Sequence, residues 1–322
     1  MVFERPPKLE AAGGFSICLL FTVLHRIIRN TILRKSYRVI SILFFMGRDF
    51  ATITKKVKII DIKHVKNVQY TIPNGITMPK FAALDDDTLA VIKTFNCPEG
   101  NLVLFNELYC YRLALLLGLP MPTSGICLID DNTDVFADCM EQGQQGYGFF
   151  SQYLHKSVVL VSDIIPKINN LDVLFKIILF DHVIFNKDRN PGNLLVQYYK
   201  ERVSLKVIDH SHVFVNQALW DSNCLRRCIR ENDINSTDVL VSNSFLYEMF
   251  YLHLAVTDER FDTPKQLFKK EINEPALRKI LVDIPEAWLP PKEDVEALIE
   301  YILYRVSHLD DICKMIIKYI NG

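Results

Sequence analysis

Between residues 57 and 95 apolar and polar positions alternate with a period of two. That pattern predicts strands at Val57–Ile62, Val68–Ile72, Lys80–Leu84 and Leu89–Phe95. The breaks between them, Pro73-Asn74-Gly75 and Asp85-Asp86-Asp87, are turn formers. The period then changes: from Leu102 to Leu117 apolar residues recur at helical spacing, up to a stop at Gly118. Pro120 and Pro122 lead into expected strands at Ser124–Ile129 and around Val135–Met140, and Gly143–Gly148 reads as a loop. An apolar helix is predicted over Leu171–Phe180. A polar stretch follows, then two β-like runs, Leu194–Tyr199 and Ser204–Ile208, with a turn at Lys200–Arg202. The remainder is helical: Ser242–Thr257, Thr263–Phe268, Pro275–Val282, Lys292–Tyr304 and Val306–Ile320, with Trp288 in the link between Pro285 and Pro290.

Residues 1–50 do not share this patterning. Phe15–Leu24 is apolar but too short to span a bilayer, a basic stretch follows (His25 to Arg38), and Val39–Phe45 is apolar again. Glu4, Glu10 and the missing Ala-x-Ala argue against a signal peptide; the open readings are a membrane-surface helix and a true start at Met46. The expected organisation is an atypical extension over 1–50, a β-rich lobe over 51–142 and a helical lobe over 143–322.

Composition narrows the class. The chain has 322 residues, 49% hydrophobic and 23% charged, with formal charge −1, which fits a globular fold and argues against direct nucleic-acid binding. Eight scattered cysteines make no disulfide framework, so a cytoplasmic location is the expectation. Cys224 and Cys228 with His210 and His212 match no familiar zinc spacing, so core or surface thiols are expected there.

The candidate chemistry lies in Asp181–Val196 and just beyond. Asp188, Asn193 five residues later and Asp209 at the end of the second β-like run would meet at the mouth of a hairpin. ATP-dependent phosphoryl transfer requires these types: one carboxylate for the accepting hydroxyl, and an Asn and a second carboxylate for Mg²⁺. Alone, the Asp-x₄-Asn passage reads equally as a polar turn. Upstream, Lys93 sits among apolar strand neighbours, where an ammonium is costly unless it meets an anion. Glu107, beside Asn106 on the next helix, is placed to pair with it; a snorkelling lysine and a solvated glutamate are the plainer readings of each alone. His210 and His212 follow Asp209, and hydrogen bonding in support of the site is preferred for them over metal or acid–base roles.

In this order the residues resemble the HipA-like branch of the protein-kinase-like superfamily. The matching passages are Ala90-Val-Ile-Lys93, Asn106-Glu107 leading into Arg112-Leu-Ala-Leu-Leu-Leu-Gly-Leu-Pro-Met-Pro122, Asn186-Lys-Asp-Arg-Asn-Pro-Gly-Asn-Leu-Leu195, Ile208-Asp-His210 and Ile284-Pro-Glu-Ala-Trp288. Coverage is about residues 65–315. The Asp-Arg-x-x-x-Asn passage is also similar to that of phosphoinositide kinases, with Asn190 where those carry His, and Asp-x-x-Pro-x-Asn-Leu-Leu is similar to aminoglycoside phosphotransferases. The resemblance implies an α+β, two-lobed protein-kinase-like (HipA-like) fold, with a small β-rich N-lobe and a mostly helical C-lobe. It implies a Mg²⁺–ATP-dependent kinase acting on a Ser/Thr-type hydroxyl of an unidentified acceptor. Lys93 would bind the α/β-phosphates, Glu107 would hold Lys93, Asp188 would deprotonate the acceptor, Asn193 and Asp209 would ligate Mg²⁺, and Arg189 would support the catalytic loop. The departure is the nucleotide-covering loop, where Gly75 is the single glycine and Thr77 the single hydroxyl. Two other readings stay open: a non-catalytic nucleotide-binding module, and a phosphotransferase with a small-molecule acceptor.

Overall fold

The computed structural model describes residues 62–73, 75–136 and 139–321. What the sequence leads one to expect of residues 1–50 and of the strand beginning at Val57 lies outside the described residues, Ile62 excepted.

The first part of the chain builds a sheet from β1 (Lys63–Thr71), β2 (Lys80–Leu84), β3 (Leu89–Lys93), β4 (Ser124–Ile129), β5 (Asp134–Val135) and β6 (Gly146–Gln152). The strand order is β2-β3-β6-β4-β1-β5, and β1 also pairs with β2, so the ladder runs round on itself. Closure leaves an inner face that must be apolar. Val65, Val68, Ala82, Leu84, Ala90, Ile92, Cys127, Ile129 and Phe150 fill it, which is the alternation seen in the sequence. The β2–β3 turn is tied by Leu84 N–H to Thr88 O (2.9 Å) and Thr88 N–H to Asp86 Oδ1 (3.1 Å), with Asp87 in the left-handed region (φ 60°).

One correction concerns Gly143–Gly148. Only the turn before Gly146 is loop; residues from Gly146 form β6, which sits between β3 and β4 in the sheet. Of the glycines that read as a linker, Gly143 and Gly146 hold positive φ and Gly148 is there for close approach. A Cβ on Gly148 would lie 2.7 Å from the Lys93 carbonyl oxygen and 3.3 Å from Cys127 Sγ. The sheet therefore continues past the boundary expected at residue 142.

Helix α1 (Leu102–Leu116) crosses behind the sheet. Val103 to Cys110 are buried without a break, including Asn106 and Glu107, so the helix has neighbours on every side. It ends at Gly118 in the left-handed region (φ 63°), with Leu119 N–H on Ala114 O at 3.0 Å. A second sheet, in the order β7-β8-β9, joins β7 (Ser157–Val159), β8 (Leu194–Tyr199) and β9 (Arg202–Val207). Helix α2 (Val173–Val183) lies between β7 and β8 in the chain.

The rest is helical: α3 (Ser222–Glu231), α4 (Asp238–Ser242), α5 (Ser244–Tyr251), α6 (Asp258–Glu271), α7 (Glu274–Ile280), α8 (Lys292–Ser307) and α9 (Leu309–Asn321). The helix expected from Thr263 begins earlier, at Asp258, with Pro264 inside it rather than at its first turn. The helix expected over Ser242–Thr257 is the shorter α5, separated from α4 at Asn243. Helix α3 is absent from the sequence expectation; Asp221 caps it through Cys224 N–H at 2.8 Å, and Asn232 ends it in the left-handed region. Trp288 is buried and donates Nε1–H to Tyr147 O at 3.2 Å, fastening the α7–α8 link to β6. No helix among the described residues is long and apolar enough to cross a membrane, and the described cysteines are unpaired thiols.

Gly148→Ala tests the close approach of β6. The new methyl meets backbone rather than a movable side chain, so the expected loss is about 1–3 kcal/mol. Urea denaturation checks it; an unchanged midpoint would mean that β6 and β3 are free to separate.

Candidate active site

A cleft of about 750 Å³ lies between the two sheets. Gly75, Thr77, Lys93 and Glu107 line it from one side, and Asp188, Asn190, Asn193, Asp209 and His212 from the other. Apolar walls come from Val91, Phe149, Leu154, Leu195 and Ile208. The residues singled out in the sequence thus meet at one cleft, except Arg189, which is buried beneath it.

Lys93 ends β3 and is buried. Its ammonium bonds Glu107 Oε1, Asp209 Oδ1 at 2.9 Å and Ser211 Oγ at 2.5 Å. Burial alone would lower its pKa, but the Asp209 and Glu107 carboxylates outweigh burial and raise it. The two carboxylates fare differently. Burial pushes Glu107 up against the pull of Lys93. Asp209 is held well below the usual carboxylate range, because Lys93 and the Ser211 hydrogen bonds outweigh its burial. Asp209 is therefore the more firmly ionised partner. It sits just past β9 in the left-handed region (φ 60°), a conformation Asp tolerates better than most residues.

Ser211, not foreseen from the sequence, joins the three charges. It accepts from Lys93, and its hydroxyl lies 2.9 Å from Asp209 Oδ1 and 3.1 Å from Glu107 Oε1. The same segment is bound to α1 by backbone contacts: His210 N–H donates to Glu107 Oε2 (3.1 Å), and Asn106 Nδ2–H donates to Ser211 O (2.7 Å). Trp220 Nε1–H in turn fixes Asn106 Oδ1 at 2.9 Å.

Asp188 and Asn193 come from the loop between α2 and β8. Asp188 N–H donates to Asn186 Oδ1 (2.9 Å), and Asn193 Nδ2–H donates to Asp188 O (2.7 Å), so the loop closes on itself. That bond leaves Asn193 Oδ1 without a hydrogen-bond partner among the described residues, as Asp209 Oδ2 is. Two unpartnered hard oxygens lining one cleft are donors of the kind that could hold a divalent metal ion. The Asp188 carboxyl is pushed up, first by burial and then by the negative charge of Asp209, with His212 pulling the other way.

Beneath the loop, Arg189 meets Asp181 of α2, both side chains fully buried. Nε lies 3.2 Å from both carboxylate oxygens and Nη2 lies 3.0 Å from Oδ1. Nη1 donates to Ile208 O (2.9 Å), and Nη2 donates to His210 Nε2 (2.9 Å). Burial and the Arg189 charge depress His210 well below its ordinary pKa, so it is a neutral acceptor, in the supporting role expected of it. Asp181 also accepts from Tyr247 OH and Asn186 Nδ2, each at 3.0 Å, while Asn243 accepts from Arg189 N–H at 2.9 Å. Asp181 falls just past the helix expected over Leu171–Phe180; α2 runs on to Val183 and buries it, where an ionisable residue demands a partner. Asn243 carried no local signal.

The chain belongs to the HipA-like kinase family, whose profile matches residues 65–311, and that membership supports a phosphotransferase class. It is similar to the proinflammatory kinase CtkA of Helicobacter pylori, with 12% identity and a TM-score of 0.51, over 80% of this chain and 99% of that one. A Golgi casein kinase solved with Mn/ADP bound gives 12% and 0.47, over 82% and 77%. HipA of Shewanella oneidensis MR-1, solved with HipB and its operator DNA, gives 10% and 0.36, over 76% and 65%. At these identities the likeness to CtkA is one of fold. A comparison with curated protein sequences returns no match.

Removing one partner of the buried pair leaves the other charge stranded, so Asp181→Ala is expected to cost about 3–5 kcal/mol, read from chemical denaturation. A loss below about 1 kcal/mol would mean that water replaces the carboxylate. Asp188 behaves oppositely. Its pKa is raised in the folded state, so its ionisation weakens the fold as pH rises above the unfolded value of about 3.9. Asp188→Asn is thus expected to be more stable than the native chain at pH 7, with the gap closing below about pH 4. Urea midpoints at the two pH values check the sign; an Asn variant weaker at pH 7 would mean the carboxylate is held by a partner.

Proposed function

We propose that this chain is a Mg²⁺–ATP-dependent kinase of two lobes that transfers a phosphoryl group from ATP to a protein Ser/Thr hydroxyl. The observation that carries it is Lys93 held between Glu107 and Asp209, with Asp188 and Asn193 on the same cleft. Lys93, kept cationic by its two carboxylates, binds the α/β-phosphates, and Glu107 fixes where it points. Asn193 and Asp209 hold the metal, which supplies positive charge against the phosphate oxygens. The raised Asp188 takes the proton of the acceptor hydroxyl, its pKa moved toward the working range of a general base. Arg189 holds the loop that carries Asp188. The apolar wall of Val91, Phe149, Leu195 and Ile208 receives the adenine.

The loop over the cleft replaces a glycine-rich cover with a tighter turn. Ile72 N–H bonds Pro79 O and Met78 N–H bonds Gly75 O, each at 2.8 Å. Gly75 approaches Pro79 so closely that a Cβ would lie 2.7 Å from the ring, and Thr77 is buried toward the cleft. Gly75 and Thr77 cover the phosphates from this turn.

Thermal shift with ATP, with and without Mg²⁺, tests the reading. A Mg²⁺-dependent rise in Tm is expected, lost in Asp209→Ala and in Lys93→Ala. Asp188→Ala should keep that rise and lose transfer of labelled phosphate to protein. A rise with no transfer from the native chain would mark a nucleotide-binding module, and transfer only to small hydroxyl compounds would change the acceptor class. No rise at all would sink the nucleotide site.

A further inference from the structure

His212 has no role in the arrangement above. It lies three residues past Asp209 and lines the cleft. Its Nε2 is 2.9 Å from Glu99 Oε1 and 2.8 Å from Glu99 Oε2, and its Nδ1 is 3.7 Å from Asp188 Oδ2. One ring therefore joins three segments: the β3–α1 loop, the loop carrying Asp188, and the stretch after β9. The His212–Glu99 contact is shielded, the side chains being 15% and 21% exposed. Glu99 has no other ion-pair partner among the described residues.

The Asp188 carboxylate needs such a neighbour. Its backbone is pinned on both sides, by Asn186 and by Asn193. Its side chain is not: 46% exposed, its nearest hydrogen-bond contact is Asn190 Nδ2 at 3.5 Å. A ring protonated on both nitrogens donates Nε2–H to Glu99, which sets its plane, and turns Nδ1–H to the free carboxylate oxygen. A separation of 3.7 Å is within ion-pair reach, and such contacts tighten when the acceptor arrives.

We propose that His212, steered by Glu99, is the positioning residue that orients the Asp188 carboxylate toward the acceptor hydroxyl. This rests on the kinase reading above, with Asp188 as the base. His212→Leu fills the ring's space without an N–H. His212→Asn keeps a donor near the Nδ1 position, and Glu99→Gln keeps the contact but not the charge.

Turnover is measured without a known acceptor, as release of inorganic phosphate from Mg²⁺–ATP and as self-labelling by γ-labelled ATP. In His212→Leu the expected loss in kcat is about 100-fold, with KM for ATP and the Mg²⁺–ATP thermal shift unchanged. His212→Asn should recover part of the loss and Glu99→Gln should fall between. A His212→Leu variant with native kcat overturns the proposal, and so does one that loses the thermal shift, since the ring would then serve the nucleotide or the fold. If the native chain turns over no faster than Asp188→Ala, the kinase reading fails, and the ring itself decides. A ¹⁵N shift of His212 Nδ1 between the native chain and Asp188→Asn supports the contact with Asp188; an identical resonance overturns it.

Discussion

One guanidinium sets the geometry of the cleft. Arg189 spreads its donors over the Asp181 carboxylate, the Ile208 carbonyl and the His210 ring, with no solvent on either charged side chain. Helix α2, the loop carrying Asp188 and the end of β9 before Asp209 are therefore located from a single planar group. A lysine would deliver the charge as a point and lose the fork. Buried pairs of this kind are weak sources of net stability, because desolvation opposes the attraction. What the pair supplies here is position: Asp188, Asn193 and Asp209 come from two separate segments, and Arg189 is the group bonded to both.

The other anchor is α1. Its burial on every side suits a helix that must touch the closed sheet, the cleft and the helical layer together. Glu107 reaches Lys93 on β3 and His210 N–H after β9, and Asn106 one residue earlier binds Ser211 O and Trp220. Two adjacent polar side chains in the buried run Val103–Cys110 thus connect both sides of the cleft. Each would be costly there without partners, and each has them.

The sequence shows these things unevenly, for physical reasons. Strands β2, β4 and β8 are readable to the residue because one face of each is buried and turn formers bound them. The Lys, Glu, Asp, Asn and Asp that line the cleft stood out because the phosphoryl transfer proposed for them admits few residue types in a set order. Strand β6 was hidden because Gly148, which lets β3 pass close, and Gly146, which holds a positive φ, are the same residues that mark loops. Helix α3 was hidden by its composition: its run of Arg, Asn, Ser and Glu leaves only Ser222, Leu225 and Cys228 buried. Ser211, Asn243 and Glu99 were invisible because their roles depend on partners 54 to 118 residues away, which no local period records.

The contrast between Asp209 and Asp188 carries the chemistry furthest. Asp209 is clamped by Lys93 and Ser211 and driven toward full ionisation, which suits the cation-holding role proposed for it. Asp188 has a fixed backbone, a loosely held carboxylate and a raised pKa, caused in part by Asp209 itself. The firmly held charge thus tunes the loosely held one. On the proposed reading of Asp188 as the base, a raised proton affinity is what such a group needs, and His212 supplies the orientation that its own contacts leave open. The fold pays for this with a carboxylate whose ionisation is unfavourable, and such local cost is expected where function, rather than packing, chose the residue.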